Sequence, residues 1–445
     1  MKKFARLVAV GGITVAATAL FAGQAQASPG AHSAPVFVQT DNLAANTIVA
    51  YDRAADGSLH QAGVYRTGGK GGALTGAVVD FLASQGSLAY DRDEGLLYAV
   101  NAGSDTVTVF TVHGNRLTRH QVIGSGGSFP VSIAVRGNVV YVLNARDGGS
   151  VQGFLRFDDR LVRIPSWRRS LGLDPSQTPE FTNTPGQVTF TPDGRKLIVT
   201  TKANGNDIDV FAVNRFGGLS ARPVVNADPG QVPFAATFDA GGHLVVSEAA
   251  NAVATFTVNS DGTLTLVDRQ ATGQAATCWI VRSGSNFYAS NAGSGSLSGY
   301  HDGGSGTLTA LGNTATDAGT VDAAVSSDNR FLYAQTGANG IVGTFRHRQQ
   351  RRACPDRSGH RPRRRRRRRH RRRLTFQLRA SARRCGHERE LDADLIQLLV
   401  ASAGCCSTSS PSIMIWISSL TTNLPSSIML KLRPKSFRLI WLLAL

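Results

Sequence analysis

Cysteine is nearly absent from most of this sequence. The chain of 445 residues contains five cysteines, and only Cys278 lies within residues 28–345. A single cysteine cannot form an internal disulfide, so this region must be stabilised by its own apolar core, for which it is long enough. The region also lacks the clustered His, Cys and Asp spacing of a metal site, and we expect neither a metal nor another cofactor.

Long amphipathic helical patterns are missing from the same region. Short alternating stretches such as "TVTVFTV" occur instead, separated by turns such as "DG" and "GG". Each repeat has an aromatic residue in its third strand: Tyr51, Phe110, Phe154, Phe211, Phe256, Tyr300 and Phe345. Their spacings of 59, 44, 57, 45, 44 and 45 residues indicate a period near 45 with two insertions. This pattern predicts an all-β, seven-bladed β-propeller with four-stranded blades.

The two ends of the repeat region are incomplete. The stretch "PVFVQTDN" after residue 34 matches the second strand of a blade, so the first blade lacks its innermost strand. The seventh blade reaches its third strand at Phe345 and lacks a fourth. A closed ring requires both strands, because an open ring leaves unpaired strand edges.

Excess charge is confined to the end of the chain. The formal net charge is +18, yet residues 346–445 contain 24 Lys+Arg and 5 Asp+Glu, which leaves 24 basic and 25 acidic residues elsewhere. The run "RPRRRRRRRHRRR" by itself would indicate a polyanion partner. A one-base frame shift near Arg346 is compatible with codons for a "DG" turn and two short strands, which the incomplete blades need. We therefore predict that residues 346–445 are a frameshifted, irregular tail outside the fold and that no nucleic acid is bound. The alternative is a genuine basic tail that binds phosphates.

The N-terminus has the features of a secretory signal. Three basic residues precede an apolar stretch that ends in Ala25-Gln26-Ala27. We expect residues 1–27 to be removed and residues 28–345 to form a secreted, monomeric propeller that does not span a membrane.

Three stretches resemble a known family. "FTPDGRKLIVTT", "LLYAVNAGSDTVTVFTV" and "FTVNSDGTLTLV" are similar to the seven-bladed lactonase propellers, which include 6-phosphogluconolactonases and 3-carboxy-cis,cis-muconate lactonizing enzymes. The second stretch is equally similar to propellers of surface-layer proteins, which serve as binding or structural modules. The resemblance implies a substrate site at one mouth of the central channel, and hydrolysis or formation of a lactone on a small carboxylated sugar or muconate-type compound.

The resemblance also suggests individual site residues. "SEAANAV" places Glu248 at the position of the family's catalytic glutamate. A carboxylate there acts as general acid or base, while a cation holds the substrate carboxylate. Candidate substrate-binding residues in the same set of loops and strand ends are Lys202, Arg146, Asn144, Asn101, Asn291, Gln335 and Gln187.

Other residues favour a protein without catalytic activity. The family's histidine position reads "FPVSIAV", with Val131 or Ser132 in place of the histidine, and Ile208 stands where an arginine is common. Turn geometry alone can explain the asparagines, and Glu248 with Lys202 can form a structural ion pair. The second hypothesis is therefore a non-catalytic extracellular propeller that binds a small molecule, a cell-envelope component or a protein. Cys278 and Trp279, at the start of an inner strand, are expected to line the channel or pack in the core.

Overall fold

The computed structural model describes residues 35–346, which form 26 β-strands, two 3-10 helices and one four-residue α-helix. No helix within this range is long and apolar enough to cross a membrane. The predicted signal peptide and the basic tail after Arg346 lie outside the described residues.

Five complete blades occupy the middle of the chain, each an antiparallel sheet of four consecutive strands with the first strand innermost. Blade 2 comprises β4 (Leu88–Asp91), β5 (Leu96–Asn101), β6 (Thr106–His113) and β7 (Arg116–Gly124). Blade 3 comprises β8 (Pro130–Arg136), β9 (Val139–Asn144), β10 (Ser150–Phe157) and β11 (Arg160–Ser170). Blade 4 comprises β12 (Gln187–Phe190), β13 (Lys196–Thr200), β14 (Asp207–Ala212) and β15 (Val224–Ala227). Blade 5 comprises β16 (Pro233–Phe238), β17 (Leu244–Glu248), β18 (Ala252–Val258) and β19 (Leu264–Ala271). Blade 6 comprises β20 (Thr277–Ser283), β21 (Asn286–Asn291), β22 (Ser296–His301) and β23 (Thr309–Ala315).

The first and last blades have three strands each among the described residues. Blade 1 comprises β1 (Val36–Gln39), β2 (Thr47–Arg53) and β3 (Leu59–Arg66). Blade 7 comprises β24 (Thr320–Val325), β25 (Phe331–Thr336) and β26 (Ile341–Arg346). Because β1 pairs with β2 in the way that a second strand pairs with a third, blade 1 lacks an inner strand within residues 35–346. Blade 7 ends with its third strand, β26, and therefore lacks an outer strand in the same range. This agrees with the incomplete repeats in the sequence.

Apolar side chains of the second and third strands form the core between blades. All six residues of β5 are buried, because both faces of this strand are covered by neighbouring blades. Six of the seven third-strand aromatics are buried, and Tyr51 of blade 1 is half-buried.

Blades 1 and 7 contact each other at a seam formed by the β2–β3 turn and blade 7. The Arg53 guanidinium lies 3.0 Å from the Asp328 carboxylate, and the Tyr333 hydroxyl donates to the Gly57 carbonyl at 3.0 Å. Gly57 has φ +92° and lies directly against the Phe331 ring, where a Cβ would clash. Among residues 35–346, the ring is thus joined across the seam by side-chain contacts rather than by a shared sheet.

Two long blade-to-blade loops explain the two long repeat spacings. Residues 67–87, called the channel loop, connect blades 1 and 2, and residues 171–186 connect blades 3 and 4 and contain a 3-10 helix (Glu180–Thr182). The carbonyl of Gly86 in the channel loop accepts from Ile133 of blade 3, and that of Ser84 accepts from Trp279 of blade 6. The channel loop therefore crosses between opposite sides of the ring.

Candidate functional site

The site residues selected from the sequence lie at one face of the propeller, where second strands end. Asn101, Asn144, Glu248 and Asn291 are the last residues of β5, β9, β17 and β21, and Lys202 begins the short helix (Lys202–Gly205) after β13. All five side chains are at most 1% exposed. Because they are buried, none of these side chains has an open path to a ligand.

Asn101 and Asn291 connect strands within their own blades. The Asn101 amide donates to the hydroxyl oxygens of Thr106 at 3.1 Å and Thr108 at 2.9 Å. The Asn291 amide makes the equivalent bonds to Ser296 at 3.0 Å and a second serine of β22 at 2.9 Å. Both residues satisfy buried polar groups, which is a structural role.

The remaining amides differ in their environment. Gln187 accepts from the backbone N–H of Ala236 at 2.7 Å and so links the inner strands of blades 4 and 5. Gln335 is half-buried in β25. Neither polar atom of the buried Asn144 side chain has a hydrogen-bond partner among residues 35–346.

Glu248 forms an ion pair with an arginine that the sequence analysis did not select. Arg269 of β19 donates from Nε to Glu248 Oε2 and from Nη2 to Oε1, both at 2.9 Å, and Nη2 also bonds to Asp228. Burial raises the pKa of Glu248 to about 8, although the Arg269 hydrogen bonds act in the opposite direction. The proposed ion pair of Glu248 with Lys202 is therefore wrong, because Arg269 occupies both carboxylate oxygens.

Lys202 holds the two long loops together. Its Nζ donates to the carbonyl oxygens of Ala83 at 2.7 Å and Phe181 at 2.6 Å, and to Thr184 Oγ1 at 3.1 Å. Burial lowers the pKa of Lys202 to about 7. All three protons of the ammonium are used inside the protein, so a lysine selected as a substrate contact acts as a loop anchor.

Arg146 has a similar role and is more exposed. Its guanidinium forms two bonds to Glu180, at 2.6 and 3.2 Å, donates to the Ala73 carbonyl at 3.3 Å, and lies over the Phe129 ring at 4.3 Å. The hydrogen bond from Arg146 lowers the pKa of Glu180 to about 2. The Arg146 side chain remains 40% exposed, so an anion can still approach it.

Three half-buried carboxyl groups lie close enough for their charges to interact. Asp80 of the channel loop accepts from the N–H groups of Leu82 at 3.0 Å and Ser84 at 3.1 Å, which fixes its orientation. Burial, with a smaller contribution from the charge of Asp80, raises the pKa of Asp41 and of Asp322 to about 7. Burial raises the pKa of Asp80 as well, and the nearby charge of Lys202 partly opposes this rise. The sequence analysis did not select Asp80 or Asp322.

Cys278 and Trp279 lie in β20, the inner strand of blade 6, as expected. The Trp279 indole N–H donates to the Ser84 carbonyl at 2.8 Å, and its ring meets the Phe234 ring edge-on at 4.9 Å. Burial raises the pKa of the Cys278 thiol to about 12, so this cysteine is a poor nucleophile at neutral pH. Trp279 thus supports the channel loop, and Cys278 packs in the apolar core.

Protein stability is expected to fall as the pH rises from about 5 to about 8. The pKa of Glu248 is about 8 in the folded protein, against an ordinary value of 4.5. Between these two pH values the folded state keeps a proton that the unfolded state has released. The free energy of unfolding therefore decreases as the pH rises through this range. The contribution of Glu248 to this loss is roughly 2–4 kcal/mol. Asp41 and Asp322, whose pKa is also raised, to about 7, add to the loss, and Lys202 acts in the opposite direction only above its pKa of about 7. Urea unfolding at both pH values measures the change, and Glu248→Gln should reduce it by the Glu248 contribution; an unchanged slope in this variant would contradict the assignment.

No group of three or more His, Cys, Asp or Glu residues in the described part of the chain could hold a metal ion.

Comparisons with known proteins agree with this architecture. The family model "Lactonase, 7-bladed beta-propeller" matches residues 165–358. No curated protein sequence matches the chain. Among solved structures, a candidate 6-phosphogluconolactonase from Bacteroides fragilis is 19% identical, with a TM-score of 0.58 over 72% of this chain and 92% of its own. A periplasmic gluconolactonase from Pseudomonas aeruginosa is also 19% identical, with a TM-score of 0.56 over 71% of this chain and 92% of its own. The protein is thus a seven-bladed β-propeller that carries, in residues 165–358, the sequence signature of the lactonase family.

Proposed function

We propose that the protein hydrolyses a lactone at the channel mouth on the face where the long loops lie. The observation that carries this proposal is the group of three interacting carboxyls, Asp41, Asp80 and Asp322, two of which have a pKa of about 7. A group that titrates near the working pH can both accept and donate a proton. The similarity to gluconolactonase structures supports a sugar lactone as the substrate class.

The proposed chemistry needs one base and one acid. Asp80 is the proposed base: burial raises its pKa, but the N–H groups of Leu82 and Ser84 and the nearby charge of Lys202 all favour its ionised form. It removes a proton from the water that attacks the lactone carbonyl. Asp41 or Asp322 is the acid and protonates the ring oxygen as the carbon–oxygen bond breaks. The product is an open-chain hydroxy acid, and the exposed part of Arg146 is placed to bind an anionic substituent of the substrate.

Glu248 is proposed to have a positioning role, through its bonds to Arg269, and not to take part in the reaction itself. Its carboxylate is completely buried and held by two bonds from Arg269. A catalytic Glu248 would have to leave this ion pair to reach a substrate, which would leave Arg269 and Asp228 without their buried partner.

Replacing Asp80 with asparagine is expected to lower the rate of glucono-δ-lactone hydrolysis about 100-fold, because the general base is lost. A pH-stat assay of the full chain, corrected for spontaneous hydrolysis, measures the rate. Asp93→Asn, an exposed position on the opposite face, is the matched control and should retain full activity. Equal rates for wild type and Asp80→Asn would exclude the proposed base, and a large loss in Glu248→Gln alone would restore Glu248 as the catalytic group.

A non-catalytic binding propeller is the second candidate. Glu248, which matches the family's catalytic glutamate, and Lys202 are both occupied by protein contacts, which favours this alternative. Absence of turnover across a panel of γ- and δ-lactones, with saturable binding of a sugar acid, would support it. For either function we propose that the protein is exported after removal of residues 1–27 and acts as a monomer.

A further inference from the structure

An open cleft lies between blades 3 and 4 on the face opposite the candidate site. Its volume is about 480 Å³, which is in the range of small-molecule sites. The walls are the β8–β9 turn of blade 3 and the β12–β13 and β14–β15 turns of blade 4. The lining residues are Arg136, Val139, Phe190, Gly194, Arg195, Val213, Asn214, Arg215 and Gly217.

Three arginines give this cleft a positive charge. Arg136, Arg195 and Arg215 are all exposed, and none of the lining residues is acidic. Arg136 uses one N–H for the Pro192 carbonyl at 2.7 Å, which fixes the guanidinium while leaving other donors available. Asp193, which is not a lining residue, lies 3.9 Å from Arg195 and offsets one of the three positive charges, so the charge around the cleft remains positive.

Apolar side chains form the floor. Val139, Phe190 and Val213 are half-buried there. Beneath them the buried Tyr141 ring packs edge-on against Phe190, with centroids 6.0 Å apart, and stacks with Trp167 at 6.1 Å. A flat apolar group can therefore lie on this floor while its charged substituent faces the arginines.

The cleft is preformed. The Tyr141 hydroxyl donates to the Gly217 carbonyl at 2.7 Å, and Arg169 donates to the carbonyls of Leu219 at 2.6 Å and Ser220 at 2.7 Å, so the β14–β15 turn is fixed from below. Gly194, with φ +71°, lies so close to Arg136 that a Cβ would be 1.7 Å from its Nε. A side chain at this position would displace the Arg136 guanidinium, and the positive φ also favours glycine.

We propose that this cleft binds a small molecule that joins a flat apolar ring to one or more carboxylate or phosphate groups. Guanidinium groups recognise both anions through paired hydrogen bonds, and the floor provides the apolar contact. The site is on the other face of the ring from the carboxyl cluster, so the proposal does not depend on lactone hydrolysis.

Isothermal titration of the full chain with phthalate, benzoate and inorganic phosphate tests the proposal. Phthalate should show saturable binding, and Arg136→Gln, Arg195→Gln and Arg215→Gln together should weaken it about tenfold or more. The matched control replaces three exposed arginines outside the cleft, Arg116, Arg119 and Arg163, with glutamine and should leave the affinity unchanged.

Three results would overturn the proposal. They are the absence of saturable phthalate binding, equal weakening in both triple variants, and inorganic phosphate binding as tightly as phthalate. If the cleft triple variant fails to fold, Arg215→Glu alone provides the same test at an exposed turn position and should abolish phthalate binding.

Discussion

Replacing Arg269 with methionine is expected to lower the free energy of unfolding by about 3–5 kcal/mol at pH 8. Arg269 is the partner of two carboxylates, Glu248 with no exposed surface and Asp228 with 8% exposure. Methionine fills similar volume but leaves both acids without the guanidinium that donates hydrogen bonds to them. Urea unfolding followed by circular dichroism measures the change.

The double variant Arg269→Met with Glu248→Met is the control for this effect. It removes the buried acid together with its partner, so it should be more stable than Arg269→Met alone. The loss in Arg269→Met should also be smaller at pH 5, because Glu248, with a pKa of about 8, is already protonated there. A loss below about 1 kcal/mol at pH 8, or no recovery in the double variant, would show that the ion pair contributes little.

Replacing Lys202 with methionine is expected to cost about 3 kcal/mol, at about 1 kcal/mol for each of three hydrogen bonds. The carbonyls of Ala83 and Phe181 and the Thr184 hydroxyl would lose their donor. Because Ala83 belongs to the channel loop, the loop should also open more often. Trypsin cleavage after Lys70, an exposed residue of this loop, should be faster than in the wild type.

Lys196→Met provides the comparison for Lys202→Met. Lys196 is half-buried at the start of β13, at the opposite end of this strand from the loops that Lys202 anchors. Its replacement removes the same charge and should change neither stability nor trypsin cleavage appreciably. If the two variants behave alike, the charge rather than the anchoring bonds is responsible.

The fold was accessible from the sequence because each blade is a local unit. The spacing from Phe211 to Phe256 to Tyr300 indicates a period near 45 residues, which is the length of four short strands with their turns. In the structure these residues are the third-strand aromatics of blades 4, 5 and 6. The missing inner strand could be anticipated because "VFVQ" begins in the register of a second strand.

The site was less predictable because partners come from other strands and from insertions. Glu248 was placed correctly at a strand end, but its partner Arg269 lies 21 residues later on the outermost strand of the blade. Arg269 comes close to Glu248 only because β19 pairs with β18. Asp80 lies in the channel loop, which has no counterpart in the repeat. Asp322 could have been found from the sequence, because it is the one charged residue in the inner strand "TVDAAV".

The seam between blades 1 and 7 has a consequence for folding kinetics. Each complete blade joins residues that are near in the chain, whereas Arg53 and Asp328 are 275 residues apart, and Tyr333 and Gly57 are 276 apart. The entropy cost of closing a loop grows with its length, and contacts between distant residues form slowly. We therefore expect ring closure to be the last step of folding and the seam to be the place where the folded ring opens first.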